Sequence, residues 1–561
     1  MAKGIHKTVR IAGALAIFTA IIVPSASGAD VVATTLVAPK EIKAAPLPFT
    51  GIEAAKFTAP TSAKGLLTSE PTSCHLGDPL TIKGTNLPAN TPVNLVWGTT
   101  AQATWKTEVT PATVNYLGVA WSPTLTYVDI ATITTDSLGN VTYKGICPED
   151  FGGAHDVYAV INGEAQAKGG ISVARTFSIS PNKGPIGTKF TVTYTGMGYK
   201  LYGSGGAVLY DNKYAGELQA RWTRGTAKVT MVASGPVGPH YVSANAALTF
   251  SYLNIIQSPN PEGNPGTEVF TVTKDNGVFK PTIDYPTKVT PTVDNRTTMA
   301  LATNEIDKAS SAVATLTKSE GVVGSKSVIK VTGLPTTGTH NLVWSTVVGN
   351  RFNCPSGTCW VYSGIPLATA EAVNGGFEQE FTVPDHLGGW HVIQVMSGSK
   401  IEATVMFYVK QSAFEWKDTK TGKVISYGTA TWKNSVAPED LAKGQAGVGA
   451  TTFKEGQDVT LTVKGVGWTQ MDNTLALSYD NAYIGYGCGF NSNGTVVFRF
   501  KATGGPGTHI INLRPLLYTQ QPSFADVHFG MVPFLAYDRD FPGLALGYQI
   551  PMYTFAIKIV K

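Results

Sequence analysis

Gly388-Gly389-Trp390-His391-Val392-Ile393-Gln394-Val395 reads as a glycine corner, one residue, a histidine and then a strand, and the chain repeats this pattern four times. Gly152-Gly153-Ala154-His155 runs into Asp156-Val157-Tyr158-Ala159-Val160, Val237-Gly238-Pro239-His240 into Tyr241-Val242-Ser243-Ala244, and Pro506-Gly507-Thr508-His509 into Ile510-Ile511-Asn512-Leu513. Glycine takes the positive φ of a tight corner, and short apolar runs bounded by turn residues read as sandwich strands. Four such corners predict four β-domains.

Other motifs recur around the corners in a fixed order. Asn94-Leu95-Val96-Trp97 returns as Asn341-Leu342-Val343-Trp344, and Cys147-Pro148-Glu149-Asp150-Phe151 as Val383-Pro384-Asp385-His386-Leu387. Gly196-Met197-Gly198-Tyr199 returns as Gly465-Val466-Gly467-Trp468, and Tyr210-Asp211-Asn212 as Tyr479-Asp480-Asn481. The offsets lie between about 236 and 269 residues, so the chain is two copies of a two-domain module, A-B-A′-B′. We take domain A as 71–179, B as 180–278, C as 312–412 and D as 413–561, with D extended by a tail from Leu516. A Pro/Thr-rich connector occupies 279–311, and the Ala/Thr/Pro/Lys-rich stretch 30–70 reads as a flexible leader. Arg175 to Ser180 is assigned as the last strand of A. The fold class is all-β: tandem immunoglobulin-like β-sandwiches.

The order Gly-Thr-strand, Gly-x-Gly-aromatic (196–199, 465–468), Tyr-Asp-Asn-x-x-Gly, Asn-Gly-strand and Gly-x-His-strand resembles bacterial immunoglobulin-like repeats, including the IPT/TIG-like group found in tandem on exported surface proteins. Domains B and D carry it best, and the resemblance covers about three quarters of the chain. It implies a cell-surface or extracellular spacer, adhesive or scaffold role, and it brings over no catalytic residues.

Composition agrees with export. Only 14% of residues are charged against 43% hydrophobic, which disfavours long surface helices and suits β-structure. Lys3, Lys7 and Arg10 precede the apolar run Ile11 to Val23, and Ser27-Gly28-Ala29 offers small residues for cleavage, so 1–29 reads as a signal peptide. Loss of those three charges lowers the formal net charge of +5 to +2, weak ground for an acidic partner. Aromatics are not interleaved with clustered Lys and Arg, which argues against nucleic acid. No later segment reaches the length of about 18 uncharged apolar residues that marks a membrane helix. Leu47-Pro48-Phe49-Thr50-Gly51 spells a sorting pattern but lies near the N-terminus with no apolar tail after it, and reads as a chance match.

Candidate chemistry is sparse. His155, His240, His391 and His509 invite a metal, but one per domain places them a domain apart. The stronger expectation is a structural corner, a histidine bonding back to the chain as the tyrosine corner does. Trp97 and Trp344 are expected in the core. Trp360 and Trp390 are the aromatics chosen for a binding surface, and Asp538 and Asp540 sit in a tail loop able to project. Five cysteines fit an oxidising compartment. Cys354 with Cys359 and Cys74 with Cys147 are the expected disulfides, leaving Cys488 unpaired. Asn140, Asn295 and Asn493 head glycosylation acceptor patterns, and Asp211 and Asp480 read as turn residues. No paired carboxylates, nucleophile elbow or phosphate-cradling loop appears, so neither catalysis nor a cofactor is expected. The reading is an exported non-enzymatic scaffold or adhesive protein whose partners are other surface proteins, a second copy of itself, or polysaccharide. Two alternatives stand beside it: glycan binding through exposed aromatics, and a metal-binding or enzymatic role in the C-terminal segment.

Overall fold

Asn162-Gly163 and Asp211-Asn212 both turn the chain through paired positive φ values (51° and 78°; 50° and 62°), the conformation of a two-residue hairpin turn that follows the twist of the strands it joins. Such turns, repeated along the chain, fold it into antiparallel hairpins, and every regular element of more than one residue among the described residues is a strand. The computed structural model describes, with side chains, residues 65–100, 125–199, 205–220, 223–245, 266–276, 309–335, 337–346, 363–411, 452–467, 473–489, 492–516 and 552–561, with short isolated stretches and the backbone of further strands.

Four sandwiches follow one plan. In B, a three-stranded sheet (Thr176–Ser180, Lys189–Thr195, Ala227–Val232) faces a five-stranded one ordered Lys183–Gly184, Thr267–Val272, Gly238–Asn245, Gly205–Tyr210, Lys213–Gln219. Domain C repeats this with Val313–Leu316, Lys326–Thr332 and Phe377–Thr382 against Glu320–Val322, Lys400–Lys410, Gly389–Ser397, Gly338–Gly349 and Trp360–Ala372. Domain D sets Ser412–Asp418, Asp458–Lys464 and Val496–Lys501 against Met552–Val560, Gly507–Leu517, Thr474–Tyr479 and Ala482–Cys488. In A the two sheets join through a parallel contact between Gly65–Glu70 and Glu164–Val173. The chain is a tandem of immunoglobulin-like β-sandwiches.

The register is shared to the residue. An aromatic on the central strand lies opposite the residue two beyond the corner histidine: Trp97 and Val157, Tyr210 and Val242, Trp344 and Ile393, Tyr479 and Ile511. The next strand, at the sheet edge, then carries a one-residue bulge at Ile130, Ala215, Leu367 and Ile484 respectively. A bulge increases local twist and bends the edge away. Trp97 and Trp344 are wholly buried and centre their cores.

Three boundaries differ from the sequence reading. Thr176–Ser180 pairs with Lys189–Thr195 and opens domain B, whereas the strand closing A is Glu164–Val173, paired with the corner strand across the Asn162-Gly163 turn. Gly65–Glu70, read as the end of the leader, is a strand of A paired with Pro79–Gly84, and within that leader Ile52–Glu53 pairs with the edge strand of A. In the connector, Thr282–Asp284 pairs with Met552–Thr554 of D. Ile52–Glu53 and Thr282–Asp284 are too short to show alternation, and a short added strand needs only backbone groups to pair.

Candidate functional site

Each corner histidine joins its own loop to the core. Nε2 lies 2.7–3.0 Å from the carbonyl oxygen four residues earlier in every domain: Phe151, Pro236, Leu387 and Gly505. A carbonyl only accepts, so a bond there requires Nε2–H to donate. Each ring also packs on the central-strand aromatic of its domain: His155 on Trp97 and His391 on Trp344 stack with centroids 4.7 Å apart and His240 on Tyr210 at 5.3 Å, while His509 meets Tyr479 at 5.5 Å in a tilted arrangement.

The other nitrogen separates the two domain types. Nδ1 always reaches the residue after that aromatic. In A and C it faces the backbone carbonyls of Gly98 (2.9 Å) and Ser345 (3.0 Å). In B and D it meets the carboxylates of Asp211 and Asp480, both at 2.6 Å, whose other oxygens take the backbone N–H of Tyr241 and Ile510. These aspartates are turn residues whose side chains hold the corner.

Charge follows the partners. Burial pulls the His509 imidazole down, but the hydrogen bond and charge of Asp480, with Gly505 and Glu455 behind them, outweigh it and hold the group above its ordinary value. His391 has no carboxylate, and burial drives it down to about 4, with Ser345 opposing and the nearby His386 adding to the drop. In A, buried Asp150 accepts the Trp97 indole N–H at 2.9 Å and lies 3.7 Å from His155. His386 stands at the matching position in C, bonded to Thr346 Oγ1 at 3.1 Å, and the Trp344 N–H meets no acceptor among the described residues. One His per domain, with both nitrogens on protein oxygens, is an arrangement for holding a corner. Among the described residues no three His, Cys, Asp or Glu side chains converge.

The remaining named residues are scattered. Cys74 and Cys147 are bonded, joining the start of A to the segment before its corner. Cys488 is half-buried at the end of its strand and forms no disulfide. Trp390 lies half-buried with its ring 5.0 Å from Tyr408. Trp360 begins the edge strand of C, its side chain outside the described residues. Cys354, Cys359, Asp538, Asp540 and Asn295 also lie outside them.

What sequence reading missed are the contacts between domains. Gly152 N–H donates to Met197 O (3.0 Å), and Gly388 N–H to Val466 O (2.9 Å). A Cβ on Gly152 would stand 1.8 Å from Gly196 O, and one on Gly388 1.7 Å from Gly465 O. Gly225 and Gly494 seal the same junctions, each with a Cβ position 2.6 Å from the carbonyl of Asp150 or His386. The A–B and C–D junctions are thus one design used twice. The signal was present in the recurring Gly-x-Gly-aromatic motif, but its role needs the neighbouring domain.

Domain D also packs on B. Asn481 Nδ2 donates to Val232 O and Ser234 Oγ, both 2.8 Å, and Arg514 to Thr230 O at 2.9 Å. Thr508 bonds twice to Asp275. Leu535 N–H donates to Glu217 O at 2.8 Å, and Leu535, Ile510 and Ala556 join the apolar core of B.

No family model and no curated protein matches the chain. Among solved structures it is similar to FdeC, an Escherichia coli adhesin, at 13% identity, covering 63% of this chain and 99% of that one with a TM-score of 0.14. It is similar to a β-glycosidase from Bacteroides vulgatus at 10% identity, covering 42% of this chain and 25% of that one (TM-score 0.13). A third likeness is to three N-terminal domains of the outer capsid protein Hoc of bacteriophage RB49, at 9% identity, 62% and 97% coverage and a TM-score of 0.13. Scores this low carry no argument, and the fold stands on the strand pairing described above.

Proposed function

We propose that the chain is an exported, non-enzymatic scaffold that holds its loops in fixed positions at or outside the cell surface. The observation that carries this is the docking of D on B. Leu535 enters the core of B while Arg514 and Asn481 bond to its back strand Ala227–Val232. A flexible tandem needs no such contact. With glycine junctions joining A to B and C to D, all four sandwiches are tied to one another, which suits a spacer or platform more than a string of independent binders. The Cys74–Cys147 bond supports an oxidising compartment.

The test is fractionation of producing cells with thiols trapped by alkylation at lysis, combined with small-angle scattering of the purified mature chain. The expected result is recovery from the envelope or medium with Cys74 and Cys147 oxidised, and a scattering curve that fits one rigid four-domain body. Recovery in the cytoplasm with both thiols free would overturn export. Scattering that requires an ensemble of independently moving domains would overturn the scaffold.

A further inference from the structure

The bulged edge strand occurs four times, and its surroundings differ between copies. In A the edge is covered by Ile52–Glu53, paired at Val128 and Asp129. In B it is covered by the tail: Leu535 N–H bonds to Glu217 O, while Arg514 and Asn481 bond to Thr230, Val232 and Ser234 on the facing back strand. In D the edge strand meets that of B, where Tyr214 and Tyr483, matching residues of the two copies, pack edge to face at 6.4 Å. In C, Trp360–Ala372 is the outermost strand of its sheet with no hydrogen-bonded strand on its free side among the described residues; the short pair of Ala302–Thr303 with the leader's Val32–Ala33 lies near it without joining its ladder.

There the sandwich opens as a groove of about 740 Å³ between the edge strand and the back strand Phe377–Thr382, floored by Ile365, Leu367, Phe381 and Val383 and closed at one end by the Asp385–Lys464 ion pair. The shared register makes it the counterpart of the surface that D fills on B. Ala368 and Thr369 stand where Gly216 and Glu217 stand, and Glu380, Thr382 and Pro384 where Thr230, Val232 and Ser234 stand.

We propose that this groove of domain C receives an extended segment from the leader of a second copy of the chain, by strand addition at Thr369 with an aliphatic side chain over Leu367. Two features of this protein point to that occupant. The leader already adds strands to exposed edges: Ile52–Glu53 on A, and Glu41–Lys43 on the strand Thr104–Thr110. Its Leu47-Pro48-Phe49 also repeats the aliphatic-Pro-Phe order of Val532-Pro533-Phe534, the stretch that leads Leu535 into B. Pro366 sets the geometry. It occupies the position of Asp129, where Ile52 pairs in A, and lacks an N–H, so the added strand bonds as Leu535 does in B.

The proposal gives the scaffold a partner but does not depend on export. A chain that never self-associates would overturn it and leave the rigid-body reading intact. The test is sedimentation equilibrium of the mature full-length chain from 1 to 200 μM, with two groove variants, Ala368→Arg and the exposed-rim Pro366→Arg, and one leader variant, Leu47→Glu with Phe49→Glu. Unchanged thermal unfolding qualifies each variant. Concentration-dependent association in the parent, weakened at least tenfold by a groove variant and by the leader variant, is the expected result. A parent that stays monomeric, or association that survives in all three variants, overturns it. Association lost only in the groove variants overturns the leader as occupant.

Discussion

Replacing Gly388 by alanine adds one methyl group where the structure has no room for it. Its Cβ would stand 1.7 Å from Gly465 O, whereas real Cβ contacts essentially never fall below 3.0 Å. The obstacle is backbone, so no side chain can swing aside. Domains C and D must separate locally by more than about 1 Å, which breaks the Gly388 N–H bond to Val466 O and leaves a junction amide without its acceptor. Overpacking of this kind costs about 1–3 kcal/mol and the lost bond about 1 more. The change is outside both cores, so it loosens the junction and leaves each sandwich folded. The expected outcome is a fall of several degrees in the first calorimetric transition together with a larger radius of gyration. Gly152→Ala should act alike at the A–B junction, where the gap is 1.8 Å. Gly398→Asn is the control: its φ of 57° suits Asn and nothing lies within 4 Å of its Cβ. If Gly388→Ala matches the parent in both transition temperature and scattering, the junction is not a close contact and the scaffold argument fails with it.

Domains C and D should respond to pH in opposite senses. His391 has its folded value depressed to about 4. Its contribution is therefore present above the ordinary value of about 6.5 and lost as pH falls toward 4, on the order of 3 kcal/mol in all. His509 is raised, so its contribution is present below about 6.5 and lost as pH rises through the folded value. Hydrogen exchange of the two corner strands from pH 5 to 9 checks this: Gly389–Ser397 should gain protection with rising pH and Gly507–Leu517 lose it, with Asp480→Asn flattening only the second. Parallel profiles would refute the assignment. Leu535→Ala should destabilise domain B by about 2–5 kcal/mol in denaturant unfolding, since the side chain is buried in that core; an effect confined to D would show that the tail does not hold the two together.

The sandwich fold was legible because its signals are local. A glycine corner, a histidine and a period-two run fit within eight residues, and recurrence in order exposed the duplication. The reading failed where pairing depends on distant chain. Thr176–Ser180 alternates equally well as the last strand of A or the first of B, and only its ladder to Lys189–Thr195 decides. The covering segments Ile52–Glu53 and Val532–Pro533 are too short to show a period, and they act through backbone groups that every sequence supplies. Gly152 and Gly388 looked like corner residues, which they are; that they also abut the next domain is a fact about Gly196 and Gly465.

The corners show what duplication preserved and what it left free. In all four domains Nε2 keeps the carbonyl four residues back, so the bend into the corner strand is fixed by geometry common to every copy. The Nδ1 partner varies with domain type because the chain before it varies. Where the central strand turns at once into a hairpin, as at Asp211-Asn212, a short acid at the turn can reach the ring. Where the central strand runs on, as in Pro92–Thr100 and Gly338–Gly349, the ring meets a strand carbonyl instead. The charge nearby was then free to diverge: Asp150 serves the Trp97 N–H in A, and His386 takes its place in C. Across the four copies the corner bond is thus kept while the polar groups around it differ, so the shared part is the placement of the corner strand against the central strand.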